Sequence, residues 1–367
     1  MFENLNRYHF NSTTGPVWCA RLVQDKEYNP MCPAQKMLNA DFPYKSHLFF
    51  GFHHGITDGF SNMHTFNFFL TILNQVLEKQ QINDEIQLAE YSPGKIYDHI
   101  LSEIKNYWET NPLDKLEANS VFIKRRAHEA NLPKVDQDIK ETISRTRNIQ
   151  RVLDKNRTEK FMDSCKEASV TVNSAFTAIA SIALFELMRE LGSKEDFMEV
   201  LIGHMINRRR YWGCDSSRLF GPHIGQLPQT IQVSSKSKES FWDFAKEVHK
   251  NFYEMLKNKT SFKQDLIKFE NINNMTPIQK SSEFDFGVTN MGNLNKIISD
   301  DGKHVQISSL ISTTSSDVFR SIGAHVLQTF RGYLYCGLDY GSLFMTSETA
   351  NRFADIISKH LHDLVDH

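Results

Sequence analysis

The sequence predicts a mixed α/β fold with substantial sheets, arranged in two halves. Three observations predict it. Several stretches repeat apolar residues at spacings of three and four, the mark of amphipathic helices, and these alternate with short apolar or alternating runs that read as strands. A charged stretch from about Arg125 to Asn148, poor in large apolar residues, reads as a linker or surface excursion between two globular halves. At 367 residues the chain is long for one compact domain and comfortable for two, and 40% hydrophobic content supplies real cores.

The elements follow in chain order. Gly15 to Val23 carries Pro16 and then a short apolar run, a strand. Ser46 to Phe52 is a second strand, with Leu48, Phe49, Phe50 and Phe52 running straight into His53 and His54. From Ser61 the period changes, and Met63, Phe66, Leu70, Leu73 and Leu77 mark a helix ending near Lys79. Another helix covers about Pro93 to Trp108. In the second half, Val172, Ala175, Phe176, Ile179, Ala183 and Leu187 form a helical stripe that Thr171 is placed to cap. Strands are expected over Glu199 to Ile206, Leu227 to Val233 with Pro228 near its start, Phe284 to Thr289, Gly323 to Phe330 and Gly332 to Tyr340. In the last of these, Leu334, Cys336, Leu338 and Tyr340 alternate with Tyr333, Tyr335, Gly337 and Asp339. A helix with the stripe Ala350, Phe353, Ile357, Leu361 and Leu364 closes the chain.

Charge and cysteine usage exclude several classes. The formal net charge is −2, so no strong field favours nucleic acid or an anionic membrane. The basic runs Lys124 to Arg126 and Arg208 to Arg210 are short. The five cysteines are Cys19, Cys32, Cys165, Cys214 and Cys336; they are widely spaced without a C-x-x-C, against a zinc ribbon, thioredoxin chemistry or a disulfide framework. The opening residues lack the pattern of a signal peptide, and no run of about eighteen apolar residues occurs. A reducing cytosol is therefore the expected compartment, with the sequons at Asn11, Asn156, Asn258 and Asn274 read as chance.

The most informative segment is Phe52-His53-His54-Gly55-Ile56-Thr57-Asp58-Gly59-Phe60-Ser61. Strand alternation would send the two histidines to opposite sides, so that one faces a cleft while the other packs. Gly55 and Gly59 would permit a sharp loop close to another chain segment. Asp58 would bond local backbone amides or pair with a distant cation. Acyl transfer from a thioester to an alcohol or amine needs a base to take the nucleophile's proton, and neutral histidine suits that task near neutral pH. No G-x-S-x-G elbow argues for a covalent acyl-enzyme. A metal site built from His53, His54, Asp58 and perhaps His64 is disfavoured, because adjacent strand residues point apart and H-E-x-x-H spacing is absent. A purely structural pair, its ring nitrogens satisfied in a loop, is the other reading.

The string HHGITDG resembles the HHxxxDG motif of the superfamily that holds chloramphenicol acetyltransferase, condensation domains of nonribosomal peptide synthetases, plant acyltransferases and alcohol acetyltransferases. Further stretches are similar in the expected order: Gly15-Pro16-Val17-Trp18, Val170 to Ala175, Ile206-Asn207-Arg208-Arg209-Arg210-Tyr211-Trp212, Gly221 to Leu227, Val288-Thr289-Asn290-Met291-Gly292, and Thr329 to Leu334 followed by Leu338-Asp339-Tyr340. The alcohol acetyltransferase branch is the nearest in these segments. Asp285-Phe286-Gly287 is similar to the plant DFGWG motif without its trailing Trp-Gly.

The resemblance implies two chloramphenicol-acetyltransferase-like lobes with mixed sheets and a central tunnel, an N-terminal lobe over 1–140 and a C-terminal lobe over 141–367. The motif lies early in this chain, so the N-terminal lobe is expected to be incomplete and to leave apolar surface exposed. By the same resemblance His54 is the general base and His53 is structural. Asp58 forms an ion pair with Arg209, or with Arg208 if the register slips by one. Gly59 belongs to the structural motif, and Thr289 and Asn290 lie near substrate. No tightly bound cofactor and no metal are implied. Acyl-CoA is the expected co-substrate, an acyl carrier protein the alternative donor, and a small alcohol or amine the acceptor. Two other readings stay open: a non-catalytic acyl- or lipid-binding homologue, and a condensation-type enzyme acting on carrier-bound substrates.

Overall fold

The computed structural model describes residues 8–24, 42, 44–83, 93–130, 145–213, 219–271, 284–315 and 322–366, with side chains of the third helix described through 122. The chain runs β1 (Trp18–Gln24), β2 (Ser46–Phe52), α1 (Gly59–Leu77), α2 (Pro93–Thr110), α3 (Pro112–Ala130), β3 (Thr146–Leu153), α4 (Lys155–Glu167), α5 (Val172–Glu190), β4 (Phe197–Asn207), β5 (Ile224–Ser234), α6 (Phe241–Lys257), α7 (Thr260–Asn271), β6 (Phe286–Asn293), β7 (Gly323–Phe330), β8 (Tyr333–Gly341) and α8 (Ser347–Asp366). The class is mixed α/β, as the sequence predicts.

Six strands form one sheet in the order β3-β8-β7-β6-β4-β5. The β4–β6 and β6–β7 pairs are parallel and the remaining pairs antiparallel. Pro228 sits in β5, opposite Gly203, where an edge strand tolerates its missing N–H. Strands β1 and β2 form a separate antiparallel ribbon in which Trp18 pairs with Phe52 and Gln24 with Ser46.

The two faces of the large sheet are covered differently, and this places the motif. On one face Leu334, Cys336, Leu338 and Tyr340 of β8 join the main core with Phe161 of α4, Ala178 and Ile182 of α5, Val248 of α6 and Phe353 of α8. On the other face Tyr333 and Tyr335 pack with Met63 and Leu70 of α1 and with Leu294, Ile298 and Leu310. Every residue of β8 is therefore buried. The alternation read from its sequence separates two covered faces rather than an inside from an outside. Helix α1 is fastened to this second face by Asn74, whose Nδ2 donates to Val305 O at 3.0 Å and whose Oδ1 accepts from His304 N and Val305 N. Phe50 of β2 meets Phe66 and Phe69 of α1 at 4.9 and 5.5 Å between ring centroids, which docks the ribbon on the same helix.

Two sequence readings are corrected. The stretch 125–148 is not one linker: α3 runs through its first residues and β3 begins at Thr146, while 131–144 lie outside the described residues. Helix α5 is buried almost all round rather than along one stripe, with Ser174 through Phe185 all buried. Thr171 caps it, accepting from Ser174 N at 3.3 Å. Among the described residues α5 is the one helix long and apolar enough to cross a membrane, and 72% of that window is buried inside the protein. Gly59 lies close to another chain segment, as the sequence predicts: it opens α1 without a left-handed backbone, and a Cβ there would lie 2.5 Å from the Met291 methyl group.

Exposed large apolar side chains do gather on the ribbon and on α1, at Trp18, Leu22, Leu48, Phe68, Ile72 and Val76. Cys32, Cys214, Asn274 and the side chains of Lys124 to Arg126 fall outside the described residues.

Candidate active site

The histidine pair follows the end of β2 rather than occupying it. His53 N still donates to Val17 O at 2.9 Å, and Ile56 N donates back to His53 O at 3.0 Å, closing a turn that carries His54 and Gly55. Strand alternation therefore does not orient the pair; the turn does. His53 Nδ1 accepts from Gly55 N at 3.1 Å, which puts the proton of its neutral ring on Nε2. The His53 ring also stands edge-on to Phe10. Both histidine side chains are exposed.

Beyond the turn the chain dives inward. Thr57 and Asp58 are buried, and the Thr57 hydroxyl donates to Asn62 Oδ1 at 2.8 Å. Asp58 caps α1, Oδ1 accepting from Ser61 N at 2.9 Å. Its other oxygen, Oδ2, accepts from Arg209 Nη1 at 2.6 Å and from His223 N at 2.9 Å. The two charged side chains are 1% and 2% exposed, so the pair is fully desolvated. A buried charge survives only when paired and hydrogen-bonded, and here every guanidinium nitrogen has a partner. Arg209 Nε donates to Leu219 O, while Nη2 donates to Ser61 Oγ at 2.9 Å and to Gly221 O at 3.1 Å. The guanidinium carbon lies 4.5 Å over the Phe60 ring.

Arg208 takes a different course. Its Nη2 pairs with Asp265 Oδ2 at 2.7 Å and bonds Ser261, so it is not the partner of Asp58. The divergence comes from the 3₁₀ turn Arg208–Tyr211, in which successive side chains point about a third of a turn apart. Asn207 caps this turn by accepting from Arg209 N at 3.0 Å.

Ser61 and His223 are participants that the sequence did not single out. Ser61 Oγ accepts from Arg209 Nη2 and Gly221 N, and it joins α1 to the loop before β5. His223 Nδ1 accepts from Trp212 Nε1, and its Nε2 stands 3.3 Å from Phe220 O. Burial and the Arg209 charge lower the His223 pKa, which favours the neutral ring. The same two causes lower that of His64, one turn into α1, whose ring lies 4.3 Å from Phe60.

Thr289 and Asn290 lie on β6. Thr289 pairs with Met205 of β4 and Val326 of β7 and is half-buried, on the face opposite Val288 and the main core. Asn290 is exposed, and its Oδ1 accepts from Gly292 N at 2.8 Å, leaving Nδ2 as the donor end. The next residue, Met291, packs on Gly59, so the two sequence segments meet in space. Among the described residues no group of three or more His, Cys, Asp or Glu is placed to hold a metal ion.

Residues 43–367 match the model of the condensation-domain family. No curated protein matches the sequence. Among solved structures, the chain is similar to a trichothecene 15-O-acetyltransferase from Fusarium sporotrichioides (TM-score 0.65, 12% identity, covering 96% of this chain and 71% of that one). It is also similar to the cyclization-docking bidomain of a nonribosomal peptide synthetase from Sorangium cellulosum (TM-score 0.60, 12% identity, 98% and 64%). A third likeness is to the epimerization domain from the third module of tyrocidine synthetase B (TM-score 0.57, 18% identity, 89% and 70%). The chain thus spans about two thirds of the length of these structures. With a family match over most of its length and the same fold in all three, this chain belongs to the condensation-domain family.

Proposed function

We propose that this protein transfers an acyl group from a thioester to an alcohol or amine, with His54 as general base. The observation that carries the reading is the HHGITDG turn itself. Its far end is locked by the buried Asp58–Arg209 pair, while His54 stands open to an incoming nucleophile. A base fixed on a rigid perch and reachable by substrate is what proton abstraction requires. Family membership and the likeness to an acetyltransferase and to synthetase domains support acyl transfer as the reaction class.

In this reading the acceptor's O–H or N–H proton passes to the His54 imidazole as the nucleophile attacks the thioester carbonyl carbon. The tetrahedral oxyanion collapses, the C–S bond breaks, and the departing thiolate takes the proton from the imidazolium. The Thr289 hydroxyl and Asn290 Nδ2 are the proposed donors to the oxyanion. The two halves, 1–140 and 141–367, act as lobes around a tunnel that admits donor and acceptor from opposite sides. Acyl-CoA is the proposed donor. General-base assistance of this kind contributes about 10²–10⁴-fold.

The test is thiol release from a panel of acyl-CoAs with pooled alcohols and amines, for the native protein and His54→Ala. Acceptor-dependent release that collapses in the variant supports the reading. Release only from acyl groups loaded on a carrier protein would replace CoA by a carrier as donor. Tight acyl-CoA binding with no turnover, or turnover indifferent to the substitution, would replace the general-base reading by a binding protein.

A further inference from the structure

We infer that Arg208, Asp265 and Tyr97 form a second clamp that positions the histidine turn through the backbone of His223. The inference rests on the acyl-transfer reading for its kinetic consequences and on geometry for its existence. Arg208 and Arg209 are neighbours in one 3₁₀ turn, yet their side chains leave in different directions. Arg209 grips α1 through Asp58. Arg208 grips α7 and α2: Nη2 bonds Asp265 Oδ2 at 2.7 Å and Ser261 Oγ at 2.6 Å, and Nε bonds the same hydroxyl at 3.2 Å. The Tyr97 hydroxyl donates to the same Asp265 oxygen at 2.8 Å.

The Arg208 guanidinium is held on every side. Phe262 lies under it at 4.5 Å and Tyr97 at 5.6 Å from the ring centroids. The backbone of Gly225 lies against it so closely that a Cβ there would overlap Arg208 Nε and Ser261 Oγ. A bare glycine in β5 is what admits the cation, a requirement of space rather than of backbone conformation.

The link to the motif runs through the backbone of one residue, His223. Arg208 N donates to His223 O at 2.8 Å, while His223 N donates to Asp58 Oδ2 at 2.9 Å. Fixing the Arg208 side chain fixes its backbone, and with it both the direction of the His223 N–H and the root of the Arg209 side chain. The His223 N–H and Arg209 Nη1 both donate to Asp58 Oδ2, and the other oxygen of the same carboxylate, Oδ1, caps α1. Loosening the Arg208 anchor would therefore let Asp58 shift, and the four-residue span back to His54 would shift with it. Arg208, Asp265 and Tyr97 are positioning residues in this account; none touches substrate.

The test combines Asp265→Asn, Tyr97→Phe, Asp58→Asn and the double variant Asp58→Asn/Asp265→Asn. Lys115→Gln is the control, because it breaks an exposed pair with Glu270 that also joins α3 to α7. Asp265→Asn is expected to lower kcat roughly 10-fold with KM within about twofold, and Tyr97→Phe to lower it less. The double variant is expected to be no slower than Asp58→Asn alone, since both act on one element. The His54 imidazole resonance, followed by long-range ¹H–¹⁵N correlation, is expected to move in Asp265→Asn in the direction it moves in Asp58→Asn. Multiplying losses, an unmoved His54 resonance, or an equal loss in Lys115→Gln would each overturn the clamp. If the native protein turns over no thioester, the acyl-transfer reading fails by itself and the resonance alone decides whether the clamp exists.

Discussion

Asp58 and Arg209 stand 151 positions apart in sequence and meet at 2.6 Å in a site from which water is excluded. Their pair ties the first half of the chain to the second, and the cost of breaking it depends on what remains. Asp58→Ala removes the cap of α1 and strands a buried guanidinium, a loss of about 3–5 kcal/mol. Asp58→Asn keeps one acceptor for Ser61 N and loses the charge, and it is expected to cost less. Urea unfolding of both variants checks the order. Equal costs would mean that the ion pair, which both variants lose, carries the stability and that the cap adds nothing to it.

A packing prediction concerns Gly203 in β4. The Phe284 ring lies directly over it, and a Cβ would overlap the ring carbons. Phe284 is buried, so it has little room to turn away. Gly203→Ala is expected to destabilise by about 1–3 kcal/mol through overpacking. A companion variant, Gly203→Ala with Phe284→Leu, should recover part of that loss in thermal unfolding. No recovery would place the strain in the backbone of β4 instead.

Much of the fold was legible because local pattern and tertiary burial agree. The bounds of β2 and β7 are the ones read from the apolar runs, and α8 buries Ala350, Phe353, Ile357 and Leu361 of its predicted stripe. Helix α3 was missed because Pro112 and a charged C-terminal half hide it; it is held by Phe122 packing with Trp108 and Phe262, partners that no local window contains. The site divides in the same way. The HHGITDG string and its arginine were legible through resemblance, including which of the adjacent arginines faces Asp58. Ser61, His223 and the Arg208–Asp265 contact were not, because each is defined by a partner 50 or more residues away, as the 53 positions between Arg208 and Ser261 illustrate.

The buried histidines make stability fall with acid. His204 is enclosed beside Gln229, and burial lowers its pKa to about 4. His325 lies edge-on to Phe176, Phe286 and Phe353, and burial lowers its pKa to about 3. Both rings are neutral in the folded chain at a pH where the unfolded chain binds protons on them. Their contribution is fully present above about pH 6.5 and is lost as pH falls toward 4 and 3. Each proton taken up preferentially by the unfolded state costs about 1.4 kcal/mol per pH unit. His325→Phe is expected to flatten the decline between pH 6 and 4, measured by urea midpoints. An unchanged slope would remove His325 from the account.

Asp339 works in the opposite direction and can be separated from the histidines. Its carboxylate is buried in β8, with Oδ1 accepting from Thr313 Oγ1 and Asn148 Nδ2 at 2.6 Å each, and Oδ2 from Thr314 N at 2.8 Å. These donors are neutral, so burial wins over hydrogen bonding and raises the pKa to about 6. The folded chain therefore binds this proton more tightly than the unfolded chain, and the group's own contribution worsens as pH rises from 4 to 6. Asp339→Asn removes the titration and sets an amide N–H against Thr314 N, a fixed cost at every pH. Relative to this variant, the native protein is expected to gain up to about 3 kcal/mol as pH falls from 8 to 4, even while both lose stability in absolute terms. Unfolding both proteins at pH 8, 6 and 4 decides the matter. Parallel curves would mean that Asp339 keeps an ordinary acidity and that its three donors, not its burial, set its charge state.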